Sequence, residues 1–251
     1  MTALRAMAFD HDGAKLIGQI AVPETPGPHP AVMVMHTALG LGEMMRERVR
    51  RLAQLGYVAV ATDMYGGGVD YHTDPQVVGT LMKDLLSPPQ RLRARASAWY
   101  EQIKARPEVD PQAIAAIGFC FGGQCVLELA RSGADVKAVV SFHGLLSTSM
   151  PATPGAIQGH VAIYTGGKDP YAPAEHVTTL QQELAAAGAR FQVMVFSEAC
   201  HSFTDPNAGA MGRAGIAYDP IADHVSWAGM AALLEATIRT RAYGPGTSSA
   251  Q

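Results

Sequence analysis

The chain reads as an α/β fold, one mainly parallel sheet with helices on both faces. It forms a single domain over residues 1–243, with 244–251 expected to fray as a tail. Three observations predict this. Strand-like runs alternate with helix-like segments along the length. Most of the strand runs, Ala31-Val32-Met33-Val34-Met35 among them, are uninterrupted apolar stretches, as expected when both faces are covered. At 251 residues the chain is long enough for one sizeable core, and no linker, internal repeat or second apolar cluster divides it.

Each element has a local reason. Residues 6–9 and 15–22 read as short strands around the turn Asp10-His11-Asp12-Gly13. Four prolines in 23–30 make that stretch an irregular connection. The strand 31–35 leads into the small-residue loop 36–42. A helix over 43–55 offers Met44, Val49, Leu52, Ala53 and Leu55 for packing, and Gly56 ends it. Residues 57–62 are the next buried strand, and 63–74 form a glycine-rich loop with Tyr65, Tyr71 and His72. Asp74-Pro75, Ser87-Pro88 and Asp219-Pro220 each have the form of an N-cap followed by proline in the first helical turn. The helix over 88–106 carries Arg91, Arg93, Arg95 and Lys104, expected to form a solvated face. Strands follow at 113–117, 136–142, 161–165 and 190–196. Helices occupy 124–131, 173–187 (closed by Gly188) and 219–240.

Bulk composition excludes several classes. The formal net charge is −3 and charged residues make up 16%, so no basic surface points to nucleic acid. No segment approaches the roughly 18 apolar residues of a membrane helix. The first residues contain Arg5, Asp10, His11 and Asp12 and lack the apolar segment of a secretory signal. Three cysteines, an odd number, cannot make a disulfide framework, and the cytoplasm is the expected location. No pair of histidines or cysteines has structural-zinc spacing. Gly166-Gly167-Lys168-Asp169 lacks the spacing and hydroxyl of a phosphate-binding loop, and Gly66-Gly67-Gly68 is a turn rather than a dinucleotide fingerprint.

The chemistry concentrates in Gly118-Phe119-Cys120-Phe121-Gly122-Gly123. This run joins the strand Ala113-Ile114-Ala115-Ala116-Ile117 to the helix over 124–131. A reactive residue framed by glycines at a strand-to-helix turn is the nucleophile-elbow pattern, here with Cys120 in place of serine. The turn is tight, so its neighbours must be small. It aims the helix-start N–H groups and the positive dipole end at the sulfur, which favours thiolate. The competing reading is a buried, inert cysteine, the usual fate of that residue.

An elbow nucleophile needs a base within reach and a third group to orient it. Two later loops at strand ends carry candidates, Tyr164-Thr165-Gly166-Gly167-Lys168-Asp169-Pro170 and Phe196-Ser197-Glu198-Ala199-Cys200-His201-Ser202-Phe203. The order Cys120, Asp169, His201 is the nucleophile–acid–base order of the α/β-hydrolase architecture. Singly, Asp169 before proline could simply shape a turn, and His201 is one of nine histidines. Three features in the right order at the right loop positions are far less expected by chance.

With those motifs in place the chain resembles the dienelactone hydrolases, cysteine-dependent members of the α/β-hydrolase superfamily. The matching stretches are 36–41, 56–65, 118–123, 166–173 and 198–203. The resemblance implies a Cys120–His201–Asp169 triad and no cofactor. It implies hydrolysis of a small ester or lactone, the carboxymethylenebutenolidase class of reaction, through an acyl-thioester. It also implies an oxyanion hole from the backbone N–H groups of Phe121 and Ala38.

Two departures stand out. The family often has glutamate where this chain has Thr37, and that carboxylate keeps the resting cysteine neutral, so Cys120 is expected to be more permanently ionised. The dienelactone-specific members place an arginine shortly after the histidine, where this chain has Asp205. An acid there favours a neutral substrate over dienelactone. Tyr65 and Phe203 are further candidates for lining a pocket, Phe119 is expected in the core, and His36 and His143 read as satisfied structural histidines. Cys125 reads as core. Other readings are a redox- or electrophile-sensing protein using Cys120 with Cys200, and a thioesterase or acyltransferase with the same triad.

Overall fold

A computed structural model describes residues 3–239. The expected tail and Thr240 lie outside them. The elements are β1 (Arg5–His11), β2 (Ala14–Ala21), β3 (His29–Met35), α1 (Glu43–Gln54), β4 (Val58–Thr62), α2 (Val78–Leu86), α3 (Pro89–Lys104), β5 (Val109–Phe119), α4 (Phe121–Arg131), β6 (Ala138–Phe142), β7 (His160–Gly166), α5 (Ala174–Ala186), β8 (Arg190–Phe196) and α6 (Pro220–Leu234). They form one domain around an eight-stranded sheet of order β1-β2-β4-β3-β5-β6-β7-β8. The β1–β2 hairpin joins β4 antiparallel. Every other neighbouring pair is parallel. Strand order reverses where β3 pairs with both β4 and β5, and a crevice opens beyond the carboxyl ends of strands at such a reversal.

The apolar runs are continuous because each strand feeds two cores. Side chains alternate across the sheet. Ala31, Met33 and Met35 of β3 join Trp99 and Ile103 of α3, Leu127 of α4 and Leu180 of α5 on one face. Val32 and Val34 join Val49 and Leu52 of α1 and Trp227 and Met230 of α6 on the other.

Several local expectations are corrected. The 113–117 strand is the carboxyl half of a longer β5. Helix α1 buries Met45 and Arg48 along with Val49, Leu52 and Ala53. Leu55 is 40% exposed, because the chain already turns at Gly56 with φ +92°. Asp219 does cap α6, accepting from Ile221 N and Ala222 N at 3.0 Å. Asp74-Pro75 does not start a helix. The chain there turns back on Tyr71, whose N–H is bonded to Leu39 O, and α2 begins only at Val78. Ser87 is the C-cap of α2, not the N-cap of α3. Two prolines in succession explain the shift. Each forces the residue before it into extended backbone, so Pro88 takes the cap position with ψ 155°.

The arginines of α3 are not a solvated face. Arg95 is buried and donates to Met64 O at 3.0 Å. Arg93 pairs with Glu128 at 2.7 Å, and Arg131 pairs with both Glu128 and Glu183. This buried chain of charges ties α3, α4 and α5 together. Arg91 pairs with Asp12 at 3.0 Å.

The loop after β4 is shaped by one buried carboxylate. Asp63 accepts from Ile17 N, Tyr65 N, Gly66 N and Gly68 N at 2.8–3.0 Å. Asp63→Ala strands these donors and is expected to lower unfolding stability by about 3 kcal/mol. The check is a lower urea midpoint with an unchanged slope.

Candidate active site

Cys120 follows β5 in the middle of the sheet and has φ +54°, ψ −116°, strained for any residue with a side chain. The glycine frame follows from this bend. A Cβ at Gly118 would strike the Gly122 backbone, and one at Gly122 would strike the carbonyls of Met35 and His36. One at Gly123 would meet Ser141 Oγ at 2.5 Å. Helix α4 therefore starts pressed against β3, β5 and β6. Its first N–H, from Phe121, faces the sulfur of Cys120, as does the N–H of Ala38 in the loop after β3.

The sulfur is hydrogen-bonded to His201. His201 Nδ1 donates to Asp169 Oδ2 at 2.8 Å, and both side chains are buried. The loops after β7 and β8 bring these two together. Gly167 N bonds to Phe196 O and Lys168 N to Ala199 O, and the neighbouring pair Lys168–Glu198 clips the loops from outside.

Burial alone would push the Cys120 thiol up. The hydrogen bond and charge of His201, with the two N–H groups, outweigh it and bring the thiol below its ordinary value. Burial would lower His201, but its hydrogen bonds to Asp169 and Cys120 raise it to about 10. Thiolate and imidazolium stabilise each other, so the pair titrates as a unit.

Two further histidines are scaffold. His36 Nε2 accepts from Met64 N at 3.0 Å, so the ring proton sits on Nδ1 and is donated to Thr37 O at 2.6 Å. This binds the start of the Ala38 loop to the loop after β4. His143 Nδ1 accepts from Cys120 N at 3.2 Å, and Nε2 donates to Thr204 Oγ1 at 2.8 Å. Burial, with the nearby charge of His201, holds His143 well below its ordinary value, so it stays neutral.

The sulfur opens into a cavity of about 500 Å³. Leu39, Met44, Met45, Val78, Met82 and Leu145 make much of its wall apolar. Thr37 and Asp205 line it. Thr37 offers no carboxylate to the sulfur, and its Oγ1 accepts from Leu39 N at 3.2 Å to shape the loop. Asp205 is accompanied by Arg213, a charge of opposite sign on the same cavity.

Tyr65 and Phe203 are corrected, because neither lines the cavity. The Tyr65 ring stacks on Phe121 at 5.6 Å, behind the elbow. Phe203 is fully buried against Phe196 and His143. Both sit beside site residues in sequence, but their side chains turn inward. Phe119 and Cys125 are core, as expected. Cys200 is half-buried and does not line the cavity.

Tyr171, with its ring 4.7 Å from that of His201, also lines the cavity, and only its place in the Asp169 loop could have suggested it. Nothing near Arg213 in sequence marks it. Among the described residues, no group of three or more metal-ligating side chains clusters, and no helix is long and apolar enough to cross a membrane.

The comparisons with known proteins point to one family. Residues 16–238 match the Dienelactone hydrolase family. A Yersinia pestis protein provisionally named a carboxymethylenebutenolidase is 32% identical over 203 residues, covering 76% of this chain and 75% of that protein. The solved structure of m3DLH is 37% identical with a TM-score of 0.88, over 94% of this chain and 99% of that one. The dienelactone hydrolase-like promiscuous phosphotriesterase P91, from metagenomic libraries, is 36% identical with a TM-score of 0.86, over 93% and 98%. With its fold, its elbow and these likenesses in agreement, the chain belongs to the dienelactone hydrolase family and is a hydrolase.

Proposed function

We propose that the chain hydrolyses neutral, largely apolar carboxylic esters or lactones with Cys120 as nucleophile, His201 as acid–base and Asp169 as the group that orients it. The observation that carries this reading is the strained Cys120, hydrogen-bonded to an imidazole that Asp169 holds at 2.8 Å. The thiolate attacks the carbonyl carbon, and the resulting oxyanion takes the N–H groups of Ala38 and Phe121. His201 gives its proton to the leaving alkoxide, which departs as alcohol and leaves an acyl-thioester. His201 then takes a proton from water, the hydroxide attacks the thioester, and the acid leaves as thiolate returns.

The substrate class rests on the cavity. Its apolar wall includes three methionines, flexible side chains that adapt to varied shapes. Asp205 and Arg213 cancel in net charge, so the site has no surplus cation for an anionic substrate. The cytoplasm, where cysteines stay reduced, suits an enzyme of this kind.

A second reading comes from the likeness to P91, which its own description calls a promiscuous phosphotriesterase. The same thiolate and N–H donors suit a phosphotriester as a secondary substrate. The redox-sensing reading is disfavoured by Cys200, which does not share the cavity with Cys120.

Cys120→Ser, His201→Ala and Asp169→Asn should each cut p-nitrophenyl acetate turnover, the first two by about 10³-fold or more, while Cys200→Ser leaves it in place. Steady-state rates on purified variants decide this, and a Cys200-dependent loss would favour the redox reading. Iodoacetamide should modify Cys120 at a rate already level below pH ~8.5, the ordinary thiol range, and falling only as pH drops through the lowered value. A rate still climbing through pH ~8.5 would contradict a resting thiolate. On the alkaline side, kcat/KM should decline near pH 10 as His201 loses its proton. A neutral aryl ester should exceed dienelactone in kcat/KM by about tenfold or more; equal turnover would overturn the neutral-substrate assignment.

A further inference from the structure

A second histidine–carboxylate pair puts its histidine on the same cavity. His72 lies in the loop between β4 and α2, and its ring lines the cavity that holds Cys120 and His201. Its Nδ1 is hydrogen-bonded to Asp70 Oδ1, and the same oxygen accepts the backbone N–H of His72 at 3.1 Å. A bond to a carboxylate requires the proton on Nδ1. In the neutral ring, Nε2 is then left as a hydrogen-bond acceptor.

The pair is built into the site. Asp70 forms an isolated antiparallel bridge with Gly40. Leu41 N bonds to Val69 O at 3.0 Å, and Tyr71 N to Leu39 O at 2.8 Å. These bonds strap residues 69–71 to the loop that carries the Ala38 N–H. The ring rests against Gly42, where a Cβ would come within 2.6 Å of His72 Cε1. Met44 and Val78 line the same cavity, and the polar Gln76 joins them from the connection that carries His72. An acceptor held in place on a largely apolar wall selects by hydrogen bonding, since an unmatched polar group loses more than a matched one gains.

We propose that His72, oriented by Asp70, is a specificity-determining residue that accepts a hydrogen bond from a hydroxyl on the substrate, away from the carbonyl under attack. The preferred substrates are then hydroxy-substituted esters or lactones. This rests on the hydrolase reading above and narrows its substrate class. His201 keeps the acid–base role, and His72 acts on the part of the substrate that does not react.

The test compares methyl alkanoates of six to ten carbons with their ω-hydroxy counterparts, followed by acid release at constant pH. The wild-type chain should favour the hydroxy ester by about fivefold in kcat/KM at one chain length, the one that reaches Nε2. His72→Phe should bring that ratio to about one, whatever its absolute rate. His72 is about half exposed, so the variant is expected to fold. Gly42→Ala, which keeps His72 but displaces its ring, should lower the same ratio. Cleavage of the plain esters with a wild-type ratio near one at every length overturns the inference and leaves the hydrolase reading standing, as does a ratio that His72→Phe retains. Failure to cleave any member of either series removes both.

Discussion

Everything at the site depends on one backbone conformation, the positive φ of Cys120 at the end of β5. An unfavourable bend persists only where surrounding structure over-determines it. Here the close approach of α4 to β3, β5 and β6 does so, and glycine at 118, 122 and 123 makes the approach possible. The bend is bonded on both sides, with Cys120 N–H shared between Phe142 O and His143 Nδ1. The same geometry leaves the sulfur between two backbone N–H groups and an imidazole. The strain and the placing of the sulfur beside those donors are therefore consequences of one packing arrangement.

The supporting histidines extend that arrangement. His36 and His143 are buried and each bonds through both ring nitrogens, so they hold loops rather than exchange protons. His201 differs because one of its partners is the carboxylate of Asp169 and the other is a sulfur. The rings of His143 and His201 lie 5.3 Å apart and yet differ in protonation behaviour, set by what each nitrogen faces. His143 is kept neutral partly because His201 is charged beside it.

The cavity adds a second level of organisation. Its floor is the elbow, and much of its wall comes from the β3–α1 and β4–α2 connections, strapped together by backbone bonds between 39–41 and 69–71. Asp63 and His36 hold the first turn of the β4–α2 connection to the sheet and to Thr37. The loop that carries the Ala38 N–H and the loop that carries His72 therefore form one unit. Changes in either should be felt in both binding and chemistry.

The sequence by itself determined the layered α/β architecture, the elbow and the positions of Cys120, Asp169 and His201 on loops at one edge of the sheet. Each is encoded locally: uninterrupted apolar runs mark doubly covered strands, glycines mark the tight turn, and loop residues after strands mark the carboxyl edge of the sheet. Only the tertiary structure decided which side chains reach the cavity. Phe203 and Tyr65 stand next to site residues in the chain yet turn into the interior, because a large apolar ring is better placed in the core than on a polar loop. Arg213 and His72 arrive from distant or irregular segments that carry no periodic signal. The arginines of α3 likewise show no local sign of their pairing, since a charge looks solvated in sequence until the buried partner across the fold, here Glu128 for Arg93, is in place. Periodicity records which face of an element is covered. Pairing and cavity shape depend on contacts between segments far apart in the chain, and no local pattern encodes those.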